Sequence, residues 1–219
     1  MNENLVIFDL DGTLLDTIED LSLAANYTLK KMGYKCHSVA KLQGMVGGGI
    51  SKLLERAMPE SMRCPENIQR ARSIFMPYYY DNIYVHTKPY EGVYEMLHSL
   101  KEKGCKMAVA SNKFQKGVDK LIQHFFPSFE FVDVLGSESG FALKPNPEMV
   151  AYLTKKAGVA LENVCMVGDS WVDYNTAISA GVNSLLVSWG FVGREGLQRC
   201  ASAIVVDSPL EIVQNYDSF

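Results

Sequence analysis

The sequence predicts an α/β protein, a doubly wound, Rossmann-like parallel sheet with an all-helical module inserted near its start. Two observations predict it. Short apolar or β-branched runs recur along the chain, each separated from the next by a helical or loop stretch, and this alternation favours parallel strands joined by helical crossovers. Between 15 and 89 the alternation stops and only helical spacing remains. The expected division is a core formed by 1–14 and 90–219, interrupted by a helical domain over 15–89.

The first element is the run Leu5 to Phe8, a buried strand ending in the turn Asp9-Leu10-Asp11-Gly12-Thr13. The inserted module follows, with apolar residues at helical spacing: Ile18, Leu21, Ala25, Leu29 and Met32, then Ile50, Leu53, Leu54 and Ala57. Tyr78-Tyr79-Tyr80 in this module suits core packing, with a partner surface or a gate as the other readings. Tyr90 to Lys103 reads as a helix stopped by Gly104, and Pro147 to Ala157 as one stopped by Gly158. Further strands are expected at Lys106–Ala110, Phe131–Leu135, Val164–Val167, Ser184–Ser188 and Ala203–Val206, and a closing helix from Pro209 to Phe219.

Composition narrows the function classes. Hydrophobic residues make up 47% of the 219 and charged residues 21%, ordinary globular usage. Lys plus Arg number 21 against 25 Asp plus Glu, a net charge of −4, which offers no general attraction to nucleic acid or an anionic membrane. Any anion must be held by a local site. The five cysteines, at 36, 64, 105, 165 and 200, show no zinc spacing and suit a reducing cytoplasm. No leader-like start and no membrane-spanning run is seen, so a soluble, cytoplasmic protein, monomeric or homodimeric, is expected.

In an open parallel sheet, ligands bind beyond the carboxyl ends of the strands, and the polar residues of this chain gather at such ends. Asp9 and Asp11 share a strand face, where two carboxylates repel unless a cation joins them. Ser111 and Asn112 follow a strand and read as a turn, or as donors to phosphate oxygens. Lys144 precedes Pro145-Asn146-Pro147, a stiff loop. Asp169 and Asp173 lie one turn apart if a helix begins at once after the strand, where either one also suits helix capping. Oxygen ligands of this kind suit Mg²⁺ together with a substrate phosphate. His37, His86, His98 and His124 stand at no metal-ligand spacing.

With these residues in place, the chain resembles the haloacid dehalogenase superfamily over nearly its whole length. DLDGT at Asp9 to Thr13, Ser111-Asn112, Lys144-Pro145 and GDSWVD at Gly168 to Asp173 match its four motifs in order. The resemblance implies a Mg²⁺-dependent phosphatase acting on a small phosphorylated metabolite through an aspartyl-phosphate. It implies that Asp9 is the nucleophile and Asp11 the acid and base, and that Thr13, Ser111, Asn112 and Lys144 hold the phosphoryl group. It places Mg²⁺ on Asp9, Asp11 through its backbone carbonyl, and Asp169, with Asp173 as a direct ligand or a partner behind one. The helical insert corresponds to a mobile cap. Val46-Gly47-Gly48-Gly49 lies where phosphoglycolate phosphatases carry a substrate-facing glycine loop, which puts Gly48 among the substrate residues and makes 2-phosphoglycolate the leading substrate; the same run also reads as a helix connection. Val187-Ser188-Trp189-Gly190-Phe191 resembles that subgroup too, with Phe191 in place of its usual Tyr. The rivals are a β-phosphoglucomutase-like isomerase, which commonly has Val where Thr13 stands, an inorganic pyrophosphatase and a non-catalytic phosphometabolite sensor.

Overall fold

The computed structural model describes residues 4–200 and 203–216, so the expected last turn of the closing helix at 217–219 lies outside the described residues. The chain forms two compact units, one of Met1–Asp16 with Pro89–Phe219, the other of Thr17–Lys88.

In the first unit six strands form one parallel sheet: β1 (Leu5–Phe8), β2 (Lys106–Phe114), β3 (Val134–Ser137), β4 (Val164–Gly168), β5 (Asn183–Val187) and β6 (Ile204–Val206). Their order is β3-β2-β1-β4-β5-β6. All four residues of β1 are fully buried because both faces are covered, the condition that makes a parallel strand uniformly apolar. On one face Leu5 and Ile7 pack with Ala108, Met166 and, from the helices Glu148–Ala157 and Trp171–Ala180, Val150, Leu153 and Ala177. The alternate residues Val6, Phe8, Val109, Cys165 and Val167 are buried as well.

From β1 the chain builds outward through β2 and β3, then crosses back to add β4 on the other side of β1. The β1–β4 border is thus the point where strand order reverses, and a crevice opens there beyond the carboxyl ends. Asp9 sits at its edge, its N–H donating to the Val167 carbonyl at 2.8 Å.

Two strand boundaries differ from expectation by three residues or more, and the helix expected from Tyr90 begins at Val93. The second strand does not stop at Ala110 but runs to Phe114, with its register against β3 shifting between Ala110 and Phe114. Ser111 and Asn112 therefore lie in an irregular continuation of the strand and not in a turn. Gln115 holds this segment to β3, since its side chain accepts from the Gly136 N–H at 2.6 Å and donates to the Val134 carbonyl at 2.9 Å. The third strand begins at Val134, while Val132 and Asp133 already bond to the backbone of β2 without entering regular pairing.

The second unit is helical, with helices Ile18–Lys31, Val39–Gln43, Ile50–Ala57 and Pro65–Asp81. Leu21, Ala25, Leu29, Leu53, Leu54, Ala57, Ala71 and Phe75 are buried at the spacing that makes an apolar stripe. The three consecutive tyrosines cannot share a fate on one helix. Tyr79 is fully buried against Phe75, Tyr78 stacks on Tyr27 with centroids 4.1 Å apart, and Tyr80 is exposed.

The two ends of this unit are tied by Asp20, itself buried. Its carboxylate accepts from the backbone N–H of His86 at 3.0 Å, from that of Thr87 at 2.9 Å and from the Thr87 hydroxyl at 2.8 Å. Asp20→Ala strands these donors, and the expected loss of stability is about 1–3 kcal/mol. Urea unfolding of the variant measures it, and a loss under about 0.5 kcal/mol would show that the donors find other partners.

Candidate active site

Asp9, Asp11 and Thr13 leave the end of β1 in one tight turn. Gly12 takes φ 83° there, and a Cβ at Gly12 would run into the Asp169 carboxylate, so this position needs glycine twice over. On the neighbouring strand, β4 ends at Gly168 and the helix Trp171–Ala180 starts with Ser170 as its cap. Asp169 thus precedes the helix instead of lying within it, and Asp173 is its third residue. The Ser170 hydroxyl donates to Asp173 Oδ2 at 2.7 Å and the Ser170 N–H does so at 3.2 Å, so Asp173 does act in capping. A Cβ at Gly168 would meet the Asp173 side chain, so glycine there lets the carboxylate fold back over the strand end.

This brings Asp9, Asp169 and Asp173 together, with one ligand oxygen from each all lying within 4.8 Å of one another. Lys144 lies among them, its side chain 1% exposed, with Nζ 2.6 Å from Asp173 Oδ1 and 3.0 Å from Asp9 Oδ1. Burial opposes the charge on Lys144, but Asp173 and Asp9 outweigh it and hold its pKa above the ordinary lysine value. Burial pushes Asp9 up to about 7, Lys144 opposes that rise, and the negative charges of Asp173 and Asp11 add to it. Asp169 is raised well above the ordinary carboxylate range, first by burial and then by Asp173 and Asp9.

The hydrogen bonds sort the carboxylate oxygens. Asp9 Oδ1 accepts from the Leu10 N–H at 2.7 Å and from Lys144, and Asp169 Oδ2 accepts from the Phe191 N–H at 2.6 Å. Both oxygens of Asp173 are engaged, one by Lys144 and one by Ser170. Among the described residues, Asp9 Oδ2 and Asp169 Oδ1 are the carboxylate oxygens of this cluster without such a bond. An oxygen-only set with two open oxygens suits a small hard cation, which would also offset the repulsion that raises Asp9 and Asp169.

Ser111 is buried, its Oγ accepting from the Lys113 N–H at 3.3 Å. Asn112 is tied to the lysine loop: its side-chain N–H₂ donates to the Lys144 carbonyl and its Oδ1 accepts from the Lys144 N–H, both at 2.9 Å. It fixes the backbone of the lysine loop, whose Lys144–Pro145 peptide is cis. The Thr13 hydroxyl is buried with no partner among the described residues, an orphan polar group expensive to keep unless something docks against it. Gly48 belongs to the helical unit, between Gly47 and Gly49, both at positive φ.

One residue escaped the sequence reading. Lys113, its side chain 2% exposed, places Nζ 2.9 and 3.1 Å from the two oxygens of Asp11. The available signal was its position two residues after Ser111: residues two apart on a strand share a face, so a lysine there points where the serine points.

A model of the haloacid dehalogenase-like hydrolases matches residues 6–187, which takes in every residue of this cluster. The chain belongs to that family. Among curated relatives, a phosphoglycolate phosphatase of Vibrio parahaemolyticus is 32% identical over 215 residues, covering 96% of this chain and 94% of its own length. A phosphoglycolate phosphatase of Aquifex aeolicus is 33% identical over 187 residues, 85% of each chain. The crystal structure of a candidate phosphoglycolate phosphatase from Lactobacillus delbrueckii subsp. bulgaricus superposes with a TM-score of 0.92 at 29% identity, covering 99% of both chains. Among the described residues, no helix is long and apolar enough to cross a membrane.

Two outcomes follow from the electrostatics of this haloacid dehalogenase-like site. In the metal-free protein, Lys144→Met leaves Asp9 and Asp173 facing each other without their cation, and the expected cost is about 3–5 kcal/mol by denaturant unfolding. Asp9 keeps its proton up to about pH 7 when no metal is bound, so a cation must displace that proton at lower pH. The rise in melting temperature produced by a fixed Mg²⁺ concentration should therefore grow between about pH 5 and about pH 8. A rise that is constant across that range would show that Asp9 is not protonated in the metal-free state.

Proposed function

We propose that the protein is a Mg²⁺-dependent phosphatase that hydrolyses a small phosphate monoester, with 2-phosphoglycolate the first candidate substrate. The observation that carries this reading is the cluster of Asp9, Asp169 and Asp173 around the buried Lys144, with Asp11 held separately by Lys113, at the strand-order switch. The curated relatives named phosphoglycolate phosphatase support the choice of substrate.

In this reading Asp9 and Asp169 hold the cation with the Asp11 backbone carbonyl, and Asp173, its oxygens engaged by Lys144 and Ser170, stands beside it. When bound, Mg²⁺ supplies positive charge to the phosphoryl oxygens. Lys144 adds a second positive charge, while Ser111, Asn112 and the orphan Thr13 hydroxyl are donors proposed to bond the phosphate. A carboxylate oxygen of Asp9 attacks phosphorus as the bond to the leaving oxygen breaks, and Asp11 gives that oxygen its proton. Asp11, now a carboxylate, takes a proton from water, which attacks the aspartyl-phosphate and frees inorganic phosphate and Asp9. Lys113 gripping both oxygens of Asp11 sets the direction in which that acid faces. The helical unit and its glycine loop around Gly48 are the part proposed to select the substrate. The five free cysteines, Cys36 and Cys64 exposed among them, support a reducing cytoplasm.

The test is phosphate release from a panel of 2-phosphoglycolate, pyrophosphate, sugar phosphates and nucleotides, with Mg²⁺ and with EDTA. Strong release from 2-phosphoglycolate, abolished by EDTA, is expected; release from none of the panel would overturn the reading. Asp9→Asn should reduce turnover by at least about 10⁴-fold while leaving the melting temperature near that of the unmodified protein, because it removes the nucleophile at nearly constant volume. Retained turnover in that variant would exclude the covalent route.

A further inference from the structure

We propose that the segment Trp189-Gly190-Phe191 is a positioning element that clamps Asp169 against the turn carrying Asp9 and Asp11, and so sets the affinity of the acidic cluster for its divalent cation. This rests on the metal-dependent reading above. The segment follows β5, a strand that contributes no acid to the cluster. Three contacts nevertheless join it to the two strand ends that do. The Phe191 N–H donates to Asp169 Oδ2 at 2.6 Å, a short bond that fixes which oxygen is left to face Asp9 and Asp173. The Trp189 indole N–H donates to the Thr13 carbonyl at 3.1 Å, gripping the first turn from the other side. Between these contacts Gly190 has no side chain, and a Cβ there would strike both Asp169 Cβ and the Gly12 carbonyl oxygen. Turn, ligand and segment are therefore packed backbone to carboxylate, with no room for a methyl group.

The segment is itself anchored at both ends. Before it, the Ser188 N–H donates to the Val206 carbonyl at 3.0 Å and the Ser188 hydroxyl to Asp207 Oδ1 at 2.6 Å. After it, Arg194 binds the same Asp207, with Nη2 2.6 Å from Oδ2. The Trp189 ring also lies against Tyr90, their centroids 6.5 Å apart. A loop held in this way fixes a ligand's rotamer before the cation arrives, and partners behind a ligand typically matter about 10–100-fold in metal affinity.

The experiment measures Mn²⁺ binding to the substrate-free protein by electron paramagnetic resonance of the unbound ion, with melting in EDTA alongside. Gly190→Ala should weaken Mn²⁺ binding at least about tenfold. Trp189→Phe keeps the ring, removes the indole N–H and should weaken binding about fivefold. The milder variant should melt in EDTA within about 2–4 °C of the unmodified protein, and higher Mg²⁺ should return its turnover to near the original value. Equal Mn²⁺ affinity in both variants would overturn the inference, as would a lower melting temperature with unchanged affinity, which marks a purely structural role. No Mn²⁺ binding by the unmodified protein would overturn the cluster reading and this inference together. Weakened Mn²⁺ binding in a protein silent on the phosphate panel would support the clamp while refuting the phosphatase reading.

Discussion

Everything at the strand-order switch depends on one buried ammonium group. Lys144 Nζ lies 2.6 Å from Asp173 and 3.0 Å from Asp9; Asp9 follows β1, and Asp173 lies in the first turn of the helix that follows β4. Without a cation between them, two buried carboxylates would repel each other with no water to screen them. The neighbouring contacts can be read as consequences of that requirement. Asn112 clamps both backbone groups of Lys144, so the ammonium cannot drift with its loop. Ser170 holds the far oxygen of Asp173, leaving the near one for the lysine. Gly168 gives Asp173 the space to reach back.

Two lysines divide the acids between them. Asp9 and Asp11 are two residues apart and leave the same strand end, yet Asp9 is paired with Lys144 and Asp11 with Lys113. Separate partners keep the two carboxylates from sharing one environment, which is the condition for giving neighbouring acids different chemical tasks. Asp9 combines burial with an open oxygen, as suits a nucleophile beside a cation. Asp11 has both oxygens held by Lys113, which fixes the plane of its carboxyl group. The irregular pairing of β2 beyond Ala110 serves the same end, because it carries Ser111 and Lys113 past the point where a regular strand would have turned away.

The parts of this arrangement that could be read from the sequence are those encoded locally. Leu5 to Phe8 announced a buried strand because four apolar, largely β-branched or aromatic residues followed by a turn suit a strand covered on both faces. Gly158, where the sequence places a helix end, stops its helix in the left-handed conformation, as Gly181 does for the helix Trp171–Ala180. The site acids were legible as ordered motifs. Their partners were less so. The pairing of Lys113 with Asp11 spans 102 positions, and the local signal, its place two residues after Ser111, gives the face it shares but not its partner. The bonds of Asn112 to the Lys144 backbone were not legible, since an amide offers the same donors to a phosphate and to a backbone. The boundary of the second strand was missed because a long-range bond between Gln115, the first residue of the following helix, and Gly136 of β3 holds the strand's end in place.

The raised pKa of Asp9 and of Asp169 has a cause that also defines their use. Burial and mutual repulsion make both acids costly to ionise in the metal-free state. A group that is costly to ionise alone gains most from a cation, because the same low-dielectric surroundings that penalise a bare carboxylate strengthen its attraction to a nearby positive charge. The penalty is tolerable because it falls on few residues and Lys144 already offsets part of it. Rigid surroundings are then needed to prevent relaxation, since carboxylates free to turn towards water would escape both the penalty and the cation. Glycines at 12, 168 and 190 meet that need by letting backbone close directly on the acids, where side chains would have held the elements apart.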